Sequence, residues 1–372
     1  MEKLKRMVMC AIPTSICNFR CHYCYLSHRS VAFQGEQANF CYPPEHIGKA
    51  FSKERLGGAC FFNLCADGET LLTKRIDEYL KAIVEQGHYI EIVSNMTVTP
   101  VIDRILTWDK DLLERTEFKC SFHYLELKNK GLLDVFADNV NRSWASGASA
   151  SVEITPADEL IPHIDECTAF SMKRFGALPQ LTIARNDATI RLEYLTKLSR
   201  EEYRKVWSRF DSPFWRFKTA IFKKRRKEFC YSGAYSLFVN LATGKTGQCY
   251  ICWHRQNIFE DLSKPIEFLP VGRCCQPHCY NGHALLTMGM IPGKFADMRF
   301  GSNIRDRVRS DGTHWLNEKL RAFFDGRCDE NNERLTGAEE RKILALSSIW
   351  ALGMRLKQVL SVVYHAIKKK LD

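Results

Sequence analysis

Three observations predict an α/β fold for this 372-residue chain. Short apolar runs suited to buried strands recur at 7–12, 59–64, 88–94, 118–124, 149–156 and 178–184. Stretches with apolar residues at helical spacing lie between several of them, the alternation expected of strand–helix units. After residue 230 the chain becomes cysteine-rich, and it closes on a long helical pattern. A length of 372 residues, with 45% hydrophobic and 12% aromatic content, suits a main domain carrying a smaller one. Sixteen cysteines in a chain this long argue against a disulfide scaffold, which belongs to short secreted domains. No apolar run is long enough to span a bilayer, and the chain starts almost directly at a cysteine loop, so the expectation is cytoplasmic. The net charge of +11 points to acidic partners: nucleotides, phosphorylated sugars, nucleic acid or anionic lipid.

Met7–Ile12 is the first strand, closed by Pro13, and a cysteine loop follows at its C-terminal end, where barrel enzymes carry active-site loops. A helix is expected from Pro44 to Leu56, stopped by Gly57-Gly58. Ala59–Leu64 is the second strand and runs into Cys65-Ala66-Asp67-Gly68-Glu69. Lys74–Glu85 reads as a helix ending at Gly87. His88–Ser94 forms the third strand, followed by Asn95. Phe118–Tyr124 is the fourth, with Ser121 and His123 on one face. Leu132–Trp144 is a helix. Ser149–Pro156 is the fifth strand, with Ser151, Glu153 and Thr155 on one face, and a glutamate in so apolar a strand needs a partner or a task. Leu178–Ala184 is the sixth.

In Cys17-Asn18-Phe19-Arg20-Cys21-His22-Tyr23-Cys24, three cysteines share one short loop. Such a loop points three thiolates at one centre, whereas a four-iron cluster takes four ligands. One position stays open for substrate or cofactor, as in catalytic metal sites. Zinc, or three unrelated buried cysteines, is the plainer reading. The C-x3-C-x2-C spacing, with Tyr23 before the third cysteine, resembles the signature of the radical S-adenosylmethionine (SAM) enzymes. The resemblance implies that Cys17, Cys21 and Cys24 hold a 4Fe-4S cluster whose fourth iron is chelated by SAM. It implies reductive cleavage of SAM to a 5′-deoxyadenosyl radical, with an electron from a donor such as flavodoxin or ferredoxin. It also implies that the six strands form a partial (β/α)6 barrel. Asp67-Gly68-Glu69 resembles the family's Gly-Gly-Glu motif, with Asp67 replacing the first glycine, so Gly68 and Glu69 are expected at the SAM amino group. Ser94 and Asn95 resemble its polar strand-end motif, and Tyr23, Ser121 and Glu153 are further candidates around SAM or substrate. Plainer readings stand beside these: a turn at Asp67-Gly68, a cap at Ser94-Asn95, a core role for His123, and an ion pair for Glu153. Cys65 or Cys120 is a candidate hydrogen-atom donor.

The second cysteine set begins at Cys230. Thirteen residues separate it from Gly244, and four more from Cys249; Cys274, Cys275 and Cys279 follow later. A hairpin over 236–245 brings distant cysteines together. The pattern resembles the auxiliary-cluster region of SPASM and twitch enzymes, and the single-cluster twitch type fits the number of cysteines. The implied ligands of a second 4Fe-4S cluster are Cys230, Cys249, Cys275 and Cys279, with Cys274 as the alternative to Cys275; Cys252 and Cys328 are left over. Cys249-x2-Cys252 with Cys275-x3-Cys279 also has the spacing of a zinc ribbon.

Residues 202–227 interleave aromatics (Trp207, Phe210, Phe214, Trp215, Phe217, Phe222) with basic residues. They form either an amphipathic connector or a nucleic-acid-binding stretch. The helix at 339–371 either packs on the body or lies on an anionic membrane as a peripheral contact. The expected organisation is a core over 1–201, a connector over 202–229, a twitch-like region over 230–300 and helices over 301–372. The expected activity is hydrogen abstraction from an anionic substrate. The alternative is a non-catalytic zinc- or iron–sulfur-stabilised nucleic-acid-binding protein.

Overall fold

The computed structural model describes residues 2–24, 35–187, 192–250 and 256–371, with backbone alone at 358 and from 361 onward. Cys252 lies outside the described residues. Six strands pair in parallel and in chain order: β1 (Arg6–Ile12), β2 (Cys60–Ala66), β3 (Tyr89–Ser94), β4 (Thr116–Ser121), β5 (Ser149–Ile154) and β6 (Gln180–Leu181). Among the described residues, two short antiparallel strand pairs stand outside this run. One joins β7 (Arg185–Asn186) to β8 (Glu193–Tyr194), and the other joins β9 (Phe229–Cys230) to β12 (Gly272–Arg273). Between these last two, β10 (Ser236–Asn240) runs parallel to the free edge of β1, and β11 (Thr246–Gly247) pairs antiparallel with it. The main sheet therefore has eight strands in the order β11-β10-β1-β2-β3-β4-β5-β6. Helices follow the strands, so the architecture is α/β, an open barrel of six parallel strands extended by a hairpin from the cysteine-rich region.

The differences from the sequence reading have local causes. The helix expected over 44–56 is two pieces, Pro44–Ala50 and Lys53–Leu56, and Ser52 starts the second by accepting at Oγ from Arg55 N. The fourth strand ends at Ser121, and a helix begins at Tyr124. The sixth is only two residues long, because Ser212 Oγ takes the Leu181 N–H at 3.0 Å and donates to Gln180 Oε1 at 2.6 Å, capping the sheet edge. Residues 200–221 form two helices, Arg200–Trp207 and Pro213–Ile221, and all six aromatics singled out in this segment are buried. None is left to stack on a base, so the connector reading fits the segment.

The sheet has two unlike faces. Phe62, Leu64, Ile90, Ile92, Phe118, Val152 and their neighbours pack outward against the surrounding helices. Met7, Met9, Phe61 and Tyr89 point inward and are covered by C-terminal segments carrying Phe214, Leu285, Phe300 and Phe324. Tyr89 stacks on Phe323 with centroids 3.7 Å apart. Farther along the strands the inner face turns polar. Asn63, Glu91 and Glu117 are register partners on β2, β3 and β4, and Lys119 faces Ser151 across β4 and β5. Arg305, on a short π-helical turn at Phe300–Arg305, is 1% exposed and enters this face. Its Nε lies 3.0 Å from Glu91 Oε2, and its Nη1 lies 2.9 Å from Glu153 Oε2. A charge this deep persists because each partner neutralises the other, and removing one partner strands the rest.

Replacing Arg305 by Met, which keeps most of the volume, should cost about 3–5 kcal/mol of stability by leaving buried carboxylates uncompensated. Urea unfolding followed by far-UV circular dichroism measures this; a change under about 1 kcal/mol would mean the carboxylates are satisfied elsewhere.

Candidate active site and second cysteine cluster

The cysteine loop leaves β1 and folds over the C-terminal ends of β2 and β3. Its shape is fixed from within: Cys24 N donates to Cys21 O at 3.0 Å, and Arg20 Nη1 donates to Cys17 O at 2.6 Å. Phe19 and Tyr23 are buried and anchor it to His123, just beyond the end of β4. Phe19 meets the His123 ring edge-on with centroids 6.0 Å apart, and the Tyr23 hydroxyl pairs with His123 Nδ1 at 2.9 Å. Burial lowers the His123 pKa to about 4, so the imidazole is neutral and serves as an anchor for the loop.

Gly68 sits directly under the loop. Its N–H donates to Thr14 O at 2.7 Å, and Glu69 N donates to Ile16 O at 2.8 Å. A Cβ on Gly68 would stand 2.1 Å from the Ile16 carbonyl oxygen, a distance no side chain tolerates. Glycine is required there because two backbone segments touch. Glu69 is buried and accepts from Leu71 N at 3.0 Å, Ser94 Oγ at 2.7 Å and Asn95 N at 2.8 Å. Burial raises its pKa, and these donors work against the rise.

Asn95 Nδ2 donates to Asn18 Oδ1 at 2.7 Å, Asn18 Nδ2 to Thr97 Oγ1 at 2.8 Å, and Thr97 Oγ1 to Asn95 Oδ1 at 2.6 Å. This closed ring ties the loop to the end of β3. The Cys17, Cys21 and Cys24 thiols lie within one another's electrostatic reach, and Glu69 acts on Cys17, whose pKa burial pushes up to about 11. The structure thus brings Cys17, Cys21, Tyr23, Cys24, Gly68, Glu69, Ser94 and Asn95 to one end of the barrel. Ser121 and Glu153 lie at the ends of the neighbouring strands β4 and β5 as register partners. Glu153 is held by Arg305 and by Lys119 Nζ at 3.4 Å, the arrangement of the ion-pair reading. Burial alone would raise its pKa, but Lys119, Arg305 and Lys218 outweigh that and hold it at about 2. Cys65 feels Lys119, Asp67, Glu91 and Glu69 near this inner face, whereas Cys120 points into the outer core.

The second set converges on a cavity with about 580 Å³ of space between atoms once its open side is counted, and Cys230, Cys249, Cys274 and Cys279 are among its lining residues. Cys279 feels the other three thiols electrostatically. Cys275, the expected ligand, is not among the lining residues. It is fully buried against Val271 and Ala351, and Gln276 Nε2 lies 3.1 Å from its sulfur. Cys274 lines the cavity and Cys275 does not, although Cys275 packs in one cluster with Cys230, Cys249 and Cys274. Gly244 has a local explanation besides any cluster pattern: its φ is +77°, and a Cβ would meet Asn257 Oδ1 at 2.4 Å. Among the described residues no three His, Cys, Asp or Glu side chains are gathered to hold a single metal ion. The four cysteines of this second set line one shared space. Cys328 is buried far along the chain in the inner cluster that holds Phe61 and Tyr89.

Sequence reasoning missed Glu91, Glu117, Lys119, Lys218, His283 and Arg305. The rule that singled out Glu153, a carboxylate in an apolar strand, applies equally to Glu91 and Glu117. Nothing local marks Arg305 or His283, whose partners lie far away in the chain.

No family model matches the chain, and no curated protein matches it in sequence. Solved structures do resemble it. Streptococcus suis SuiB bound to S-adenosylmethionine aligns with a TM-score of 0.48 at 13% identity over 69% of this chain, and the match spans 64% of SuiB's length. The anSMEcpe structure with bound AdoMet aligns at 0.46 and 13% identity over 70% of this chain and 80% of that one. BtrN in complex with AdoMet and 2-DOIA aligns at 0.36 and 17% identity over 89% and 90% of the two chains.

Glu117 provides a pH-dependent readout of the inner face. Burial first, and then the neighbouring Glu91 charge, raise its pKa to about 8. The folded state therefore binds this proton more tightly than the unfolded chain, where a glutamate titrates near ~4.3. The stability it contributes is complete below that value and is lost as pH rises through about 8. Wild-type protein should lose stability relative to Glu117→Gln between about pH 5 and about pH 9, measured as urea midpoints; a constant gap would mean a carboxylate ionised throughout.

Proposed function

We propose that this chain is a radical SAM enzyme whose first step removes a hydrogen atom from a carbon of an anionic substrate. The observation that carries the reading is the meeting of Cys17, Cys21 and Cys24 with Gly68 and Glu69. Three thiols on one loop lie beside a buried carboxylate and a glycine packed against the loop's own backbone. When bound, a 4Fe-4S cluster and SAM supply an electron and a 5′-deoxyadenosyl radical. The chain's residues do the holding. The three cysteines provide ligands for three irons, leaving one position for the amino acid end of SAM. Glu69 offers a carboxylate to an ammonium group, kept in place by Ser94 and Asn95. The ring of Asn18, Asn95 and Thr97 fixes the loop above it. Tyr23 and Phe19 seal the loop against His123 and limit water at the reacting end.

The second cavity supports a twitch-like assignment for the chain around residues 230–300, with Cys230, Cys249, Cys274 and Cys279 as the ligands of a closed auxiliary cluster. All four positions are filled by protein, which suits electron transfer or the ordering of a substrate pocket.

Iron and sulfide analysis after anaerobic reconstitution tests both sites. Wild type should hold about eight irons, and a Cys17/Cys21/Cys24 triple alanine variant about four, with loss of 5′-deoxyadenosine formation under reduction. Cys274→Ser should lower the iron of the second site, while Cys275→Ser should leave it intact. An unchanged count in the triple variant sinks the SAM reading; a loss confined to Cys275→Ser sinks the assignment of Cys274.

A further inference from the structure

Between the end of β6 and the Cys279 loop lies a second, smaller and tighter pocket, with about 240 Å³ of space between atoms once its open side is counted. Arg185, Lys218, His278, Asn281 and His283 line it, and no Asp or Glu does so among the described residues. Lys218 donates from Nζ to Thr182 Oγ1 at 2.5 Å, and among the described residues it has no carboxylate at ion-pairing distance. Glu153, the acid whose field reaches it, is already shared by Arg305 and Lys119, while Arg185, Lys119 and Arg305 add positive charge. Arg185 is itself paired with Asp187 at 2.9 Å.

The two histidines contribute donors. Arg305 Nη2 approaches His283 Nε2 at 3.4 Å, and a guanidinium only donates, so Nε2 accepts and the ring proton sits on Nδ1. That Nδ1 is buried and has no hydrogen-bond partner. His278 Nδ1 accepts from Lys223 N at 3.2 Å, which puts its proton on Nε2. Lys218 Nζ bonds Thr182 Oγ1 and stands 5.0 Å from the centroid of the Phe214 ring, and burial drives its pKa well down; with an orphaned imidazole N–H beside it, the amine lacks the anion that would hold its charge.

We propose that this cavity seats an oxyanion group of the substrate, a phosphate or a carboxylate, with Lys218 and His283 as its principal donors. The role as substrate anchor rests on the radical SAM reading; anion binding itself does not. The cavity adjoins Cys279 on one side and the Glu153 end of the barrel on the other. A substrate held there by its charged end would extend its carbon skeleton toward the barrel mouth, where the cysteine loop lies.

Isothermal titration of the reconstituted full chain with inorganic phosphate tests this without SAM or reductant, so its outcome is separate from that of the iron and cleavage assays. Wild type should bind one phosphate per chain saturably. Lys218→Met should weaken binding about tenfold or more, Lys218→Arg should retain it, and Lys264→Met, at an exposed lysine, should match wild type. Competition by acetate marks a site open to carboxylates, and its absence marks one confined to phosphate. If Lys218→Met does not fold, Arg185→Gln should weaken binding in its place. Unsaturable uptake, or equal affinity in wild type and the folded variant, overturns the proposal.

An independent observation concerns the final helix, Gly337–Leu371. One side packs on the body: Ser347 Oγ accepts from Arg273 N at 2.9 Å, and Ala351 is buried against Val271 and Cys275. The other side leaves Leu346, Ile349, Trp350, Leu352, Leu356 and Leu360 between 40% and 73% exposed, recurring mostly at three and four residues. Between Glu340 and Asp372 the sequence has no acidic residue, while Arg341, Lys342, Arg355, Lys357 and Lys368–Lys370 are basic. Among the described residues no helix is long and apolar enough to cross a membrane. We infer that this face lies on an anionic lipid surface, its apolar residues in the acyl boundary and Arg341, Lys342 and Lys357 at the headgroups, while Arg355 turns back to the Cys274 carbonyl oxygen. A second copy would set like charge against like charge, which disfavours self-pairing.

Co-sedimentation of the full chain with phosphatidylcholine vesicles, with and without about 30% phosphatidylglycerol, tests this. Binding should require the anionic lipid, fall on raising salt from about 0.1 M to about 0.5 M, and be lost in Leu352→Glu/Leu356→Glu. Equal pelleting with and without vesicles, or binding unchanged in the double variant, overturns it. So does a concentration-dependent dimer without lipid that the double variant abolishes, which would assign the face to a second copy.

Discussion

An open parallel sheet must have its concave face covered, and here the cover is electrostatic as much as apolar. Arg305 threads into a face carrying Glu91, Glu117 and Glu153, and its guanidinium is shared between two of these acids. The rest of the barrel interior follows from that placement. Lys119 completes the environment of Glu153, Asn63 Nδ2 donates to Glu91, and Ser151 Oγ donates to Glu117 at 2.5 Å. Such a lattice tolerates little displacement, because low dielectric makes each unmatched charge expensive. The C-terminal segments are therefore part of the barrel's structural logic, whatever else they hold.

The same economy of space governs the loop end. Gly68 has no side chain because the Ile16 carbonyl occupies that place, and Glu69 is stationed by the strand that ends at Ser94. Two strand ends and one loop are thus bonded into a single unit. Preorganisation of this kind lets binding residues act without first paying for their own ordering. The second cavity is built differently, from a hairpin that extends the main sheet at β1 and from the body side of the last helix. It shares His278 and Cys279 with the cationic cavity.

The strands, the cysteine loop and its partner turn were legible in the sequence because each is a local pattern. An apolar run ends in a turn, three cysteines share one loop, and a glycine precedes an acid at a strand end. The two-residue sixth strand was not legible, since its length is set by Ser212, some thirty residues away in the chain, competing for a backbone N–H. The choice between Cys274 and Cys275 was equally hidden. Neighbouring residues differ in direction, and direction depends on how that segment packs against Val271 and Ala351.

Local chemistry, then, is what the amino-acid order settled by itself: the α/β alternation, the three thiols of the first loop, the glycine and carboxylate behind them, and a basic, one-sided final helix. Tertiary structure decided which long-range partners meet: Arg305 with Glu91 and Glu153, Tyr23 with His123, Lys218 with Thr182, and Cys274 with the other three cavity cysteines. The physical reason is separation along the chain. Periodicity and spacing report interactions within a turn or a strand, whereas buried charges and converging thiols find their partners only when distant segments are packed together.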